Sequence, residues 1–304
     1  TFGAQLAGGV NHTKLDMKGL QLAGFGNWAG SKYRGAQFAG GANLIEGNLE
    51  GFQGAGGVNW TIGEVQGAQA AAVNYSGSHK GAQIGIVNIT DEIKGAQVGL
   101  VNNAGHVKGL QIGLINRAES NKGLSLGLVN LIDDGRKDLD LSIDELQFVH
   151  IAFKMGTDRF YTIYDFGSSV NGNSERNTAG LGLGIYAPFE SAFINIEGVN
   201  HYITTNAAVD EKELEEGLDE EEDLEDSENF IECEKVTYAK LSINVGYNVI
   251  DNASVWLGAN RSRLYNSLAV TKEVLNTADE SMFTEKSNYV EWNGYSAGIR
   301  YSFN

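Results

Sequence analysis

Five histidines and one cysteine are the side chains of this sequence best suited to metal binding or catalysis. They are His12, His79, His106, His150, His201 and Cys233. None of the histidines has the spacing of a zinc motif to another histidine or to Cys233. The order of serines, histidines and acids along the chain gives no Ser/His/Asp set either. The sequence therefore predicts no enzyme, no metal site and no cofactor.

One strongly acidic segment accounts for most of the net charge. Residues Asp210–Glu234 contain fifteen acids and one base, so about −14 of the total charge of −17 lies there. The segment lacks the spacing of an EF-hand loop, and such charge runs are usually solvated. We expect an external loop that attracts cations. No basic stripe is present, which argues against a nucleic-acid partner.

Charged side chains also recur inside candidate strands of the C-terminal half. They are His150, Lys154, Asp165, Glu197, Lys240 and Arg300. If the strands close into a barrel, the role of these groups depends on its width. In a wide barrel they would line a water-filled interior, whereas in a narrow eight-stranded barrel they would form a packed core of ion pairs. What they do therefore depends on the number of strands that position them.

The N-terminal half consists of tandem repeats. Over residues 2–135 a basic residue is followed by Gly, Ala or Leu, Gln, alternating apolar and small residues, and Asn, as in Lys80–Asn88. The nine asparagines, spaced at first by sixteen and later by fourteen residues, are Asn11, Asn27, Asn43, Asn59, Asn74, Asn88, Asn102, Asn116 and Asn130. The apolar period is two, so each repeat predicts a strand and a turn.

Strands continue after the repeats fade. The candidates are Leu146–Met155, Arg159–Gly167, Ala179–Ala187, Ser191–Asn200, Val236–Val249, Ala253–Arg261 and Tyr289–Phe303. The connections between them alternate between tight turns, such as Gly156–Asp158, and long loops, such as His201–Lys235. Short turns at one end and long loops at the other are typical of outer-membrane barrels.

The C-terminal residues sharpen this interpretation. Gly298, Tyr301 and Phe303 resemble the C-terminal assembly signal of bacterial outer-membrane β-barrel proteins, although Asn304 follows the usual terminal aromatic residue. The N-terminal repeats resemble the Gly-Leu-Gln-type surface repeats of bacterial envelope proteins. The resemblance implies a bacterial outer-membrane location, contact with outer-membrane lipid and passage through the barrel-assembly machinery. It does not supply a biochemical role.

Two all-β architectures fit the repeats. In the first, residues 1–135 form barrel strands 1–9 and residues 136–304 complete an antiparallel transmembrane barrel of about sixteen strands. In the second, the repeats stack as a β-solenoid, and an eight-stranded barrel follows from a first strand at Lys137–Asp144. The first is favoured because each repeat shows only one turn and one apolar strand, and because Phe2 begins in mid-pattern without a cap.

The two architectures differ in which repeat residues face inward. In the barrel, Gln83, Gln97 and Gln111 would line the lumen, and the apolar positions beside them would face lipid. In the solenoid the glutamines would form a ladder, and the apolar positions Ile84, Val98, Ile112 and Leu126 would be the core.

Function follows from this choice. The sixteen-stranded barrel predicts a porin-like passive channel for small solutes, with a preference for cations. The solenoid with a small barrel predicts a structural or interaction protein in which the barrel anchors the repeats.

Overall fold

The computed structural model describes residues 2–170, 176–206, 233–264, 283–286 and 289–303. They form two compact units, one of residues 2–136 with 155–162 and one of residues 137–154 with 163–303. In this part of the chain no helix is long and apolar enough to cross a membrane. Most of the predicted acidic loop, residues 210–232, lies outside the described residues.

The first unit is a parallel β-solenoid built from the repeats. Its strands are β1 (Phe2–Ala7), β2 (Val10–Thr13), β3 (Met17–Ala23), β4 (Gly26–Ala29), β5 (Tyr33–Ala39), β6 (Ala42–Ile45), β7 (Leu49–Ala55), β8 (Val58–Ala70), β9 (Val73–Ile84), β10 (Val87–Val98), β11 (Val101–Val107), β12 (Leu110–Asn121) and β13 (Leu124–Ile132). Each repeat pairs in parallel with the next, sixteen residues away at first and fourteen later.

The solenoid alternative is therefore confirmed, and the interpretation of residues 1–135 as barrel strands 1–9 is wrong. Each of the first three repeats contains two strands, the second of only four residues. A strand of four residues is too short to show a clear alternation of apolar and polar residues. The sequence of each repeat therefore indicates only one strand. The short strands β2, β4 and β6 pair in their own row, which continues into β8.

A glycine in each of the first seven repeats is required by the backbone conformation. The seven from Gly3 to Gly95 have φ between 130° and 151°, a region that residues with a Cβ rarely adopt. A Cβ built on Gly95 would also lie 1.9 Å from the carbonyl oxygen of Gly81 in the preceding repeat. The repeat pattern therefore keeps Gly two residues before the glutamine.

The interior of the solenoid contains two hydrogen-bonded amide ladders. In the glutamine ladder each side chain donates to the glutamine one repeat earlier, as Gln97 Nε2 does to Gln83 Oε1 at 2.9 Å. In the asparagine ladder each side chain donates to the next repeat, as Asn88 Nδ2 does to Asn102 Oδ1 at 2.9 Å. The last amide, Asn130, donates to Thr162 Oγ1 at 2.9 Å. In-register parallel stacking thus satisfies amides that would be costly to bury singly.

The apolar positions beside the glutamines lie outside, not in the core. Ile84 is 53% exposed, Val98 37% and Ile112 39%, which corrects the expectation that they would be buried. Apolar packing comes instead from a row four residues before each glutamine, which includes Met17, Tyr33, Leu49, Val65, Ile93 and Val107. Because the ladder glutamines point inward, the alternating strand must turn their neighbours outward.

The second unit is a closed antiparallel barrel. Its strands are β14 (Arg136–Asp144), β15 (Phe148–Gly156), β16 (Phe160–Ser169), β17 (Arg176–Phe189), β18 (Ala192–Asn206), β19 (Cys233–Ile250), β20 (Ala253–Leu264), β21 (Phe283–Lys286) and β22 (Tyr289–Ser302). Pairing of β14 with β22 closes a ring of eight, and β21 adds only to the edge of β22. The strand candidates after Asp134 are confirmed, and the total of about sixteen barrel strands is wrong.

Candidate functional site

The inward face of the barrel strands carries a network of buried ion pairs. Arg300 on β22 makes a bidentate pair with Asp140 on β14, at 2.7 Å from Nε to Oδ1 and 2.8 Å from Nη2 to Oδ2. Lys154 on β15 bridges Asp140 at 2.8 Å and Glu197 of β18 at 2.5 Å. Breaking such a buried pair typically costs about 3–5 kcal/mol, because the remaining charge has no partner.

A second part of the network lies nearer the long loops. Lys240 of β19 binds Asp144 Oδ2 at 2.9 Å, and the same oxygen lies 3.1 Å from His150 Nε2. The other ring nitrogen of His150 is 2.6 Å from Asp165 Oδ1 on β16. Each carboxylate is thus held by a cationic group or an imidazole, as burial of charge requires.

At the end of the barrel that carries the long loops, an apolar cluster closes the interior beyond these charges. The cluster consists of Leu146, Phe148, Ile203, Val236, Tyr238, Leu264, Val290 and Trp292. Together with the ion pairs, these side chains fill the inside of the described strands, as is usual for a barrel of eight strands.

The outward face of the barrel is apolar. Exposed residues on neighbouring strands include Leu139, Leu141, Ile143, Leu181, Leu183, Ile185, Ile196, Leu241, Ile243, Val245, Val255, Leu257 and Ile299. We call these residues the apolar belt. Charges inside and apolar residues outside reverse the arrangement of a water-soluble barrel and match that of a membrane-spanning one.

Aromatic residues border the belt at both ends. Tyr247, Tyr301 and Phe303 lie near the tight turns, and Tyr202 and Tyr295 lie toward the long loops; all are exposed. Ala192 pairs with Tyr247, so ten residues of β18 separate the level of Tyr247 from Tyr202. At about 3.3 Å per residue and a tilt of about 40°, this spans about 25 Å, the height of a lipid-facing band.

The predicted lumen residues divide between the two units. Lys154, Asp165, Glu197, Lys240 and Arg300 lie inside the barrel, all in the network of ion pairs or next to it. Gln83, Gln97 and Gln111 do not line a barrel lumen. They are fully buried in the glutamine ladder of the solenoid, because the repeats stack in parallel.

The predicted assembly-signal residues lie at the end of β22. Tyr301 and Phe303 face outward with their rings 5.0 Å apart, and they lie at the aromatic border of the belt. Gly298 leaves room for the indole of Trp256, which a Cβ would approach to 2.6 Å. A recognition role for these residues remains a prediction.

The solenoid presents a second apolar surface. Its exposed members lie beside the glutamines and two residues before the asparagines: Leu6, Phe25, Phe38, Ile84, Ile86, Val98, Leu100, Ile112, Leu114 and Leu128. We call this row the apolar face. Exposed apolar surface that continues over several repeats is typical of an interaction site.

Sequence reasoning missed one cluster in the barrel. His150, Asp165 and His201 are far apart in the chain, yet their nitrogen and oxygen ligand atoms all lie within 4.8 Å of one another. The alternation along β15, β16 and β18 could have shown that each of these residues faces inward. Only the register between the strands shows that they lie next to one another.

No protein-family model matches the chain, and no curated protein matches it. The solved structures it is similar to include the N-terminal β-barrel domain of Pseudomonas aeruginosa OprF, with 9% identity, 56% of this chain and 98% of that chain covered, and a TM-score of 0.30. Neisserial surface protein A has 10% identity, coverage of 55% and 95%, and a TM-score of 0.31. The outer membrane protease OmpT of Escherichia coli has 14% identity, coverage of 55% and 63%, and a TM-score of 0.18. These identities are too low to transfer an activity.

Proposed function

We propose that this chain is a bacterial outer-membrane protein with a structural or interaction role, in which the eight-stranded barrel anchors the β-solenoid. The observation that carries the proposal is the reversed polarity of the barrel. Its apolar belt is bordered by aromatic residues and its interior is filled with paired charges. In a closed barrel the backbone N–H and C=O groups of every strand are paired with a neighbouring strand, which a sheet embedded in lipid requires.

The filled interior is the reason why an anchor is proposed rather than a porin-like channel. Lys154, Asp140 and Glu197 meet in the middle of the barrel, and the apolar cluster around Trp292 closes the end toward the long loops. A passive channel for cations would need a continuous path of water. In the described strands, that path would have to break buried ion pairs.

The topology suggests where the repeats are held. The chain enters the barrel at Arg136, at the end that carries the tight turns at 157–159, 190–191 and 251–252. In outer-membrane barrels short turns face the periplasm. The repeats would then be periplasmic, and the apolar face around Leu100 and Leu114 would contact a partner in the envelope. Outer-membrane lipid and, during biogenesis, the barrel-assembly machinery complete the proposed partners.

Insertion and conductance of the full chain test the anchor. The folded protein should float with lipid vesicles, migrate as a heat-modifiable band, and produce no stepwise conductance in a planar bilayer. A matched pair of variants separates the two apolar surfaces. Ile243→Arg in the belt should lower insertion by about 2–4 kcal/mol, and Ile112→Arg on the solenoid should leave insertion unchanged. Regular conductance steps from the wild type would refute the anchor and support the channel.

The interaction role has its own test. A photo-reactive residue at position 114, on the apolar face, should form cross-linked adducts in living cells. The same residue at the exposed position of Lys122, away from the face, is the control. If position 114 forms no more adducts than position 122, the apolar face has no partner and the interaction role is refuted, whereas the anchor is tested separately by insertion.

A further inference from the structure

Two histidines and a carboxylate converge inside the barrel near its long-loop end. His150 on β15, Asp165 on β16 and His201 on β18 offer ligand atoms that lie within 4.8 Å of one another. Both imidazoles are buried, at 3% and 1% exposure. Three side chains of two ligand types that bind transition metals, imidazole and carboxylate, thus lie in one small region on three strands.

Two glycines make room for the imidazole rings. A Cβ on Gly167 would lie 2.9 Å from Nδ1 of His150, and a Cβ on Gly180 would lie 2.8 Å from Nδ1 of His201. Tyr238 holds the His201 ring from another side, stacked at 4.7 Å between centroids with an interplanar angle of 8°. Without a Cβ at these two positions, both rings can lie close against the neighbouring strands on the inward face.

The surroundings of His150 leave one nitrogen directed at the cluster. Its Nε2 lies 3.1 Å from Asp144 Oδ2, which Lys240 also binds at 2.9 Å. A carboxylate on the outer nitrogen is the usual support of a metal-ligating histidine, because it fixes the ring and its tautomer. Nδ1 faces Asp165 at 2.6 Å. Thr178 Oγ1 lies 3.4 Å from Nδ1 of His201 and is a corresponding support for the second ring.

We propose that His150, Asp165 and His201 form a binding site for one divalent transition-metal ion, with Zn²⁺ as the ion that best fits two imidazoles and a carboxylate. Metal–ligand bonds of about 2.0–2.2 Å place ligand atoms about 3.3 Å apart. The hydrogen bond between His150 and Asp165 would open slightly, and the His201 ring would move inward. The ion replaces the proton between His150 and Asp165 and keeps a coordination position for water or a small anion.

Cobalt binding to the full-length protein tests this site. Protein folded in detergent is treated with a chelator, dialysed and titrated with Co²⁺, whose visible absorption reports the ligands; Zn²⁺ is then added in competition. We expect one Co²⁺ per chain, displaced by one equivalent of Zn²⁺. His201→Gln and Asp165→Asn should each weaken Co²⁺ binding at least tenfold. Asp144→Asn, which removes the carboxylate that supports His150 and also pairs with Lys240, should weaken it about 10–100-fold.

His106→Gln is the matched control. His106 is an exposed histidine of the solenoid with a serine partner, Ser120 Oγ, at 2.8 Å from Nδ1, and this substitution should leave Co²⁺ binding unchanged. Heat-modifiable migration shows that each variant has folded. If the ligand variants do not fold, X-ray absorption of the Zn²⁺-loaded wild type decides, since two imidazoles should appear in the ligand shell. A wild type without stoichiometric binding, a shell without imidazole, or binding that is lost with His106→Gln would overturn the proposal.

Discussion

Exchanging a ladder glutamine for leucine tests the inverted core of the solenoid. Gln97 donates to Gln83 Oε1 and accepts from Gln111 Nε2, both at 2.9 Å, and all three side chains are fully buried. In Gln97→Leu the size of the side chain is nearly kept, but one acceptor and one donor lose their partner in the ladder.

The cost of this change can be estimated from the two broken bonds. A buried polar group without a partner costs about 1–3 kcal/mol, so the two together cost about 4 kcal/mol. The greater hydrophobicity of leucine offsets about 1 kcal/mol of this. The free energy of unfolding of the solenoid should therefore fall by about 3 kcal/mol. With a urea dependence of about 2 kcal/mol per M, the midpoint falls by about 1.5 M.

The adjacent residue offers a control with the opposite change in polarity. Val98 is 37% exposed, so Val98→Gln should alter stability by less than about 0.5 kcal/mol. Unfolding in urea is followed by the fluorescence of Trp60, which stacks on Tyr75 at 4.1 Å within the solenoid. If Gln97→Leu is neutral or stabilising and Val98→Gln is strongly destabilising, the amide core is refuted. The apolar positions beside the glutamines, rather than the glutamines, would then be the buried ones.

Four further perturbations test other parts of the chain. Burial lowers the pKa of His79 to about 4, so between about pH 6.5 and pH 4 the unfolded chain binds more protons than the folded one. The free energy of unfolding of the solenoid should therefore fall by about 3 kcal/mol as the pH is lowered from about 6.5 to about 4. His79→Val, which continues the buried apolar row, should remove this pH dependence from the urea midpoints. Arg300→Leu removes the bidentate partner of Asp140 and leaves Lys154 as the cation beside it, so the barrel should be destabilised by about 3 kcal/mol. The measurement is the temperature at which the heat-modifiable band disappears, and Lys122→Met at an exposed pair should leave that temperature unchanged. Deletion of Tyr301–Asn304 should prevent membrane insertion if these residues are the assembly signal, and normal folded barrel in the membrane fraction would contradict that role. Protease added to intact cells should cut within 210–234 without loss of the folded barrel, and protection there would mean that the segment is not external.

Local pattern was enough to predict the C-terminal barrel strands and their two faces, but not the number of strands in the barrel. The alternation in β19 and β22 assigns Leu241 and Ile299 to the opposite face from Lys240 and Arg300, and the structure has the same division. Turns also follow from the sequence, because tight and long connections alternate along the chain. These features depend on period and loop length, which neighbouring residues determine.

Pairing of the repeats could not be settled in the same way. Identical strands at a fixed spacing fit an antiparallel meander as well as a parallel stack, since both bury one face of each strand. The decision in favour of the stack depends on contacts between equivalent residues, such as Asn88 with Asn102 at 2.9 Å. A hydrogen bond between residues fourteen apart exists only once the coil has closed.

The sequence by itself determined that this chain is all-β, that its first half consists of tandem repeats, and that its second half alternates between two faces. The tertiary structure alone decided that eight strands close the barrel, that amides rather than the adjacent apolar residues fill the solenoid, and that His150 meets His201. The physical reason is that strand periodicity separates two faces without saying which is inside. That choice depends on partners distant in sequence, whose hydrogen bonds and ion pairs make a buried polar face stable.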